Sequence, residues 1–376
     1  MNRSLKIGVV CYPTYGGSGI VATELGKAFA DRGHQVHFIT YDKPVRMDLF
    51  TENMFYHKVS VLDYPLFQYA PYELLLSSRL VDVALSQKLD LLHLHYAIPH
   101  ASAAYSAKQI LKTKQFNLPY ITTLHGTDIT LLGKDKSYRP IIEFAINQSD
   151  AVTAVSNSLK QETLGLFEIE KDINVIPNFI DPSLYQHNKN MALRRELAQD
   201  DEPIITHVSN FRKVKRVDDV IKVFNGIQKQ LPSKLVLVGQ GPELDNVKKL
   251  IKSLDIEQKV HFLGKSKRIE QITCISDLFL LPSEKESFGL VALEAMASAV
   301  PIISSDVGGL PEVNKDGYTG YLLQVGDIDG MVSKSLEILQ DKDTLSRFKE
   351  NALTHSKQFE LEKVIPLYEA LYNSLV

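Results

Sequence analysis

Along this 376-residue chain the apolar residues fall into short β-branched runs separated by stretches of helical period, and the two alternate from end to end. That rhythm is what βα units wound into parallel sheets produce, because a strand covered on both faces reads as an unbroken apolar run. In the first half the pattern predicts strands at 6–11, 35–39, 91–95, 120–124 and 151–155, with helices at 21–31, 72–87, 102–113 and 141–147. The second half repeats it, with strands at 204–208, 234–238, 260–263, 278–281 and 301–304 and helices at 217–230, 243–254, 269–275 and 288–298. Residues 330–376 are almost wholly helical in pattern, and the prolines and asparagine of 174–182 mark a connection between the halves. No 20–50-residue repeat and no low-complexity segment interrupts the rhythm. Parallel sheets bind ligands at the carboxyl ends of their strands, so two such domains are expected to turn their functional loops toward one cleft.

Composition narrows the class without naming it. Apolar content of 44% and charged content of 23% are ordinary for a globular protein long enough for two or three domains. A net charge of −3 gives no reason to expect nucleic acid or an anionic membrane as partner. No run reaches the ~18 apolar residues of a membrane span, and the amino terminus passes straight into a strand without a signal-peptide core. Cys11 and Cys274, far apart in apolar contexts, are expected to be buried free thiols. Together these point to a cytoplasmic location; oligomeric state, including a homodimer, stays open.

The strand-to-helix loops hold the candidate chemistry. After the first strand comes Pro13-Thr-Tyr-Gly-Gly-Ser-Gly19, whose glycines would let backbone amides approach a phosphate at a helix N-terminus. Gly17-x-Gly19-x-x-Ala22 also matches the dinucleotide fingerprint, with Asp42 as a ribose partner. The loop is longer than that fingerprint's tight turn, however, and Asp42 comes late. The glycines are not succeeded by Lys-Ser/Thr, which excludes a Walker A loop. A plain structural turn is the third reading. After the first strand of the second half, Ser209-Asn-Phe-Arg-Lys-Val-Lys-Arg216 carries four cations. It is either a solvated basic patch or, through the Arg212 fork and the Lys215 point charge, a clamp for a departing diphosphate.

Glu286-Ser-Phe-Gly-Leu-Val-Ala-Leu-Glu294 places two carboxylates eight positions apart around the predicted 288–298 helix. At the helical rise they stand roughly 12 Å apart along the axis, beyond the pair spacing of a glycoside hydrolase. The arrangement suits two grips on one long ligand, or else a capping acid plus a helix-surface Glu. His93, His95 and His100 lie close in sequence, and a zinc site could be drawn on them, but no Cys or acidic ligand accompanies them. His125, in Thr-Leu-His-Gly-Thr-Asp128, closes a strand before a glycine, so its ring is expected in the cleft or as a satisfied structural histidine.

With these residues in hand, the chain resembles the retaining GT-B glycosyltransferases of family 4. The matching features run in order along essentially the whole chain: Gly16-Gly17, His125-Gly126, Arg212 and Lys215, Gly239-Gln-Gly-Pro-Glu243, the Glu286–Glu294 pair and Gly308-Gly309-Leu-Pro-Glu312. Within the family the likeness is strongest to members that move GlcNAc from UDP-GlcNAc to the hydroxyl of L-malate, the first step of bacillithiol biosynthesis. One departure stands out: many members carry Arg five residues before the phosphate-binding Lys, where this chain has Asn210.

The resemblance implies an α/β fold of two Rossmann-like doubly wound domains facing a central cleft. The acceptor domain would span 1–175 with the helix at about 358–376 packed back on it, and the donor domain 176–357. His125, Arg212, Lys215 and Glu286 become the catalytic candidates. Gly16, Gly17, Asn210, Phe288, Gly289, Leu290 and Glu294 become donor-binding, with Glu294 on the ribose hydroxyls. Arg139 of Ser137-Tyr-Arg-Pro140 is the first candidate for a malate carboxylate, with Tyr96 and Thr14 behind it. UDP-GlcNAc is then a co-substrate, and neither metal nor other cofactor is expected. Three rivals remain: a family-4 enzyme acting on a lipid or polysaccharide acceptor, for which residues 65–72 offer an apolar loop; a silent sugar-nucleotide sensor; and an NAD-dependent dehydrogenase, which leaves the basic loop and the glutamate pair without a role.

Overall fold

A computed structural model describes residues 3–14, 16–47, 51–61, 69–185, 190–199, 202–266 and 268–376. Tyr15 of the glycine loop and residues 65–68 of the apolar loop named above lie outside them. The chain divides into two compact units, one of Met1–Asn178 with Leu361–Val376 and one of Phe179–Glu360.

The first unit is built on β1 (Lys6–Val10), β2 (Gln35–Thr40), β3 (Met54–Lys58), β4 (Leu91–His95), β5 (Tyr120–Leu124), β6 (Ala151–Ala154) and β7 (Ile173–Val175). They form one sheet in the order β3-β2-β1-β4-β5-β6-β7, every neighbour parallel. The second unit has β8 (Ile204–Val208), β9 (Lys234–Val238), β10 (Val260–Gly264), β11 (Leu278–Leu281), β12 (Ile302–Ser305) and β13 (Gly320–Leu323), ordered β10-β9-β8-β11-β12-β13 and again all parallel. Both orders reverse direction beside their first strand, between β1 and β4 and between β8 and β11. That is the switch point at which doubly wound sheets open a crevice for ligands.

Central strands are buried along their whole length, as in Leu91–His95 and Ile204–Val208, and helices cover both faces. The second unit's core packs Ile205, Phe211, Val220, Phe224, Leu235 and Leu280 into one cluster, each side chain contributing about 1.5–3 kcal/mol of burial. The helix Leu361–Asn373 belongs to the first unit: the Tyr372 ring stacks on Phe29 at 4.8 Å, and Arg32 bonds Glu362 at 2.5 Å.

The structure adds strands that the apolar pattern did not predict, namely β3, β7 and β13. All three are sheet edges with half-exposed faces, so no continuous apolar run marks them. β7 falls at the start of the segment predicted to be the connection. Cys11 is buried, and burial pushes its thiol up to about 12, but Cys274 is only half-buried, against expectation.

Candidate active site

Four loops leave the two switch points, and they carry most of the candidates. In the first unit the loop after β1 runs into the helix Gly17–Asp31, with Gly16 in an extended conformation at its cap. Glycine here leaves the first amides of the helix open, and those amides sit at the positive end of the macrodipole. Thr14 is exposed, and its Oγ1 lies 3.4 Å from the Gly16 amide. Ser18, one residue into the helix, accepts a 2.7 Å hydrogen bond from the Tyr96 hydroxyl.

Tyr96 comes directly after β4 with φ of 91°, a backbone conformation that a bulky side chain adopts only at a cost of about 1–3 kcal/mol. The strain turns its buried ring among Tyr12, His100 and His125, with centroids 5.2, 6.3 and 5.2 Å away. His125 sits at the end of β5, and its Nε2 meets His95 Nδ1 at 2.8 Å. His93 is held at both nitrogens, by the Tyr372 hydroxyl at 2.6 Å and Thr123 Oγ1 at 2.7 Å. Burial pushes His93 and His125 down to about 3, His100 to about 4 and His95 far below its usual range, so all four are neutral near pH 7.

Of the histidines considered for zinc, His93 bonds Tyr372 and Thr123, His95 meets the His125 ring, and His100 Nδ1 bonds the His95 carbonyl oxygen. Among the described residues no group of three or more His, Cys, Asp or Glu is placed to hold a metal ion. Asp128, 1% exposed, accepts from the amides of Ala97 at 2.8 Å and Gly126 at 3.3 Å. Burial raises its carboxyl to about 6 in spite of those bonds. It ties the loop after β4 to the loop after β5, and so sets where Tyr96 and His125 stand. Arg139 begins the helix Arg139–Asn147; it is exposed and paired with Glu143 at 2.8 Å.

In the second unit the basic loop after β8 and the acidic loop after β11 are joined. The Glu284 amide donates to the Val214 carbonyl at 2.8 Å, and Lys215 Nζ reaches Glu286 Oε1 at 2.5 Å. The same carboxylate oxygen accepts from Ser283 Oγ at 3.0 Å. Within β8, buried His207 donates its Nδ1–H to the Leu280 carbonyl at 2.9 Å, and its Nε2 accepts from Ser209 Oγ at 2.8 Å. Burial brings this ring to about 4, with the Lys215 charge acting in the same sense.

The two glycine motifs further along the chain support these loops from behind. A Cβ at Gly239, where φ is 127°, would stand 1.8 Å from the Ser209 carbonyl oxygen, and one at Gly308 would stand 1.9 Å from that of Glu286. Only glycine permits backbone to pass so close.

The four cations of the basic loop separate in the structure. Lys215 faces Glu286 and Arg216 pairs with Asp219 at 2.5 Å, whereas Arg212 and Lys213 are exposed, as is Asn210. The predicted 288–298 helix begins later, at Leu290–Ala297, capped by Gly289 at φ 93°. Phe288 therefore stands outside the helix, buried against Phe359 at 5.8 Å. Glu286 bonds Lys215 and Ser283 instead of capping the helix. Glu294, 3% exposed, is no surface residue: it accepts from the Tyr185 hydroxyl at 3.1 Å. The alternative of a capping acid plus a helix-surface Glu is thereby excluded.

Sequence reasoning did not single out Ser18, Asp128, Tyr185, His207 or Ser283, and it considered His95 only for zinc. Asp128 and Ser283 left a local trace, a polar side chain three positions from His125 or from Glu286. The others act through distant partners: 30 residues away for His95, 73 for His207, 78 for Ser18 and 109 for Tyr185.

Known proteins supply the family. Residues 15–184 match the family model described as Glycosyltransferase Family 4, and residues 189–355 the one described as Glycosyl transferases group 1. The chain is 48% identical over 370 residues to the N-acetyl-alpha-D-glucosaminyl L-malate synthase of Bacillus anthracis, covering 98% of this chain and 96% of that protein. Among solved structures, Anabaena HepE in complex with UDP and glucose matches with a TM-score of 0.82 at 22% identity, over 99% of this chain and 100% of that one. The sucrose-phosphate synthase of Thermosynechococcus elongatus matches at 0.81 and 21%, over 99% of each chain. These two likenesses concern the fold. The dehydrogenase reading of the glycine loop is overturned by the family match. Among the described residues no helix is long and apolar enough to cross a membrane. Two Rossmann-like parallel sheets, matched along nearly their full length by a relative at 48% identity, place this chain among the family-4 glycosyltransferases of GT-B fold.

Proposed function

We propose that the enzyme transfers GlcNAc from UDP-GlcNAc to the hydroxyl of L-malate, with retention at the anomeric carbon. The observation that carries this reading is the 48% identity to the Bacillus anthracis synthase over 98% of the chain. In the donor unit, Glu294 is assigned the ribose hydroxyls, with the Tyr185 hydroxyl holding its carboxylate in place. Lys215 is assigned the diphosphate. An ammonium has three donors, so its bond to Glu286 leaves two for phosphate oxygens. Arg212, exposed on the same loop, adds a second cation where Asn210 offers none. Glu286 and the amides of Phe288, Gly289 and Leu290 take the sugar and phosphate. In the acceptor unit, Gly16 and Gly17 offer amides to the β-phosphate and His125 meets the sugar ring. Tyr96, Thr14 and Arg139 are assigned to malate.

The bond from the anomeric carbon to the phosphate oxygen breaks as the bond to the malate oxygen forms on the same face. The malate hydroxyl proton passes to the leaving phosphate oxygen. Catalysis then consists of positioning and of charge stabilisation beside the diphosphate. Lys215, Arg212 and the helix amides supply that charge, so we propose a metal-independent reaction on soluble metabolites in the cytoplasm. The test is to incubate the enzyme with UDP-GlcNAc and a panel of hydroxy acids, with and without EDTA, and track UDP and product by mass spectrometry. Fastest turnover on malate, unchanged by EDTA, is expected. A preference for a lipid or polysaccharide acceptor would overturn the assignment.

A further inference from the structure

His95 ends β4 fully buried, and its Nδ1 lies 2.8 Å from Nε2 of His125. The two rings are edge to edge, within 24° of coplanar and with centroids 5.0 Å apart. Both imidazoles are neutral, so one proton lies between these two nitrogens and either ring could own it. The far side of His95 decides the matter. Its Nε2 is buried and has no hydrogen-bond partner among the described residues. If His125 donated, the His95 proton would sit on that Nε2, leaving a buried N–H with no acceptor. If His95 donates, Nε2 carries only a lone pair. An orphaned buried donor is rarer and costlier than an unused acceptor.

His100 repeats the solution independently. Its Nδ1 lies 2.5 Å from the His95 carbonyl oxygen, which can only accept, so its own unpartnered Nε2 is bare as well. His93, locked at both nitrogens, stacks on His95 at 4.5 Å and fixes the plane of the ring.

We infer that His95 is a positioning residue that donates Nδ1–H to His125 Nε2, and so fixes His125 as the Nδ1–H tautomer. The site then receives from His125 an uncharged hydrogen-bond donor. Such a group carries no charge and selects for an oxygen that accepts, in the sugar or at the reacting centre. This effect on substrate rests on the proposed contact of His125 with the sugar; the tautomer itself does not.

Two nearly isosteric variants separate the roles. In His95→Asn the amide can still donate from the place of Nδ1, whereas in His95→Asp the carboxylate can only accept. With 15N-labelled histidine, NMR at pH 7.5 is expected to show the His125 proton on Nδ1 in the wild type and in His95→Asn, and on Nε2 in His95→Asp. Activity is expected to stay within about threefold in His95→Asn, while kcat falls at least roughly tenfold in His95→Asp with the KM for UDP-GlcNAc changed much less. A wild-type proton on Nε2, or equal kcat losses in both variants, would overturn the inference. If the tautomers are as stated but His125→Ala keeps full kcat, the proposed substrate contact fails and the tautomer assignment stands.

Discussion

His95 and His207 are counterparts in the two units: each is a neutral imidazole buried near the carboxyl end of a central strand, and each holds up a functional loop. The loops they hold differ. His207 bonds Ser209 at the root of a loop that carries Lys215, whose ammonium faces a carboxylate at 2.5 Å. His95 leads to His125, and the surrounding groups are Tyr96, Ser18 and Tyr12, with the Asp128 carboxylate turned onto backbone amides. One sheet has been fitted with charge and the other with directional, uncharged hydrogen bonds. A single topology thus serves two chemistries through the loops at its strand ends alone.

Acid is the strongest way to pull the units apart. The folded values of His37, His93, His95, His100 and His125 all lie well below 6.5, mainly through burial. In the second unit the lowered histidines are His207 and His355. A depressed folded value means stability that is present above pH 6.5 and lost as pH falls toward the folded value. Each deeply buried ring thus costs roughly 2 kcal/mol between pH 7 and pH 5. Asp128 acts in reverse, since its raised value near 6 returns some stability on acidification, but it is one group against several. Pulse proteolysis at pH 7.5 and 5.0, with cut sites read by mass spectrometry, is expected to open the first unit before the second. Simultaneous opening would show that the contrast between the units does not extend to their stability.

Next in size is the loss of the charged site. Lys215→Ala is expected to lower kcat by about 10²–10³-fold, the usual effect of removing a donor aimed at developing charge. It also frees the Glu286 carboxylate to repel the diphosphate, so Lys215→Ala with Glu286→Gln is expected to be less than additive in steady-state assays. Full additivity would mean that the two side chains do not act as one group.

The smallest effect concerns the first unit's cationic candidate for a malate carboxylate. Arg139→Ala is expected to raise the KM for malate about tenfold while leaving that for UDP-GlcNAc unchanged. Its bond to Glu143 is exposed and adds little to stability, so a change in folding is not expected to intrude. An unchanged malate KM removes Arg139 from the acceptor pocket.

Buried strands and the loops at their ends were legible in the sequence, because burial on both faces writes itself as an apolar run and loops carry glycines and charges. The edge strands Met54–Lys58, Ile173–Val175 and Gly320–Leu323 were illegible for the converse reason, although the edge strand Val260–Gly264 was found. The motif residues Lys215 and Glu286 could be named, yet their mutual bond could not, since 71 positions separate them and no period links them. His95 was visible only as a metal candidate, because its partner stands at the end of a neighbouring strand. Tyr185 gave no signal at all until Glu294 was seen buried against it.

The helix Leu361–Asn373 bears on how the chain is made. The second unit is one continuous segment and can fold as soon as it has left the ribosome. The first unit, though synthesised earlier, must wait for this helix, which follows the second unit in the chain, because Tyr372 covers Phe29 and bonds His93 across 279 positions. The half begun first is the half finished last.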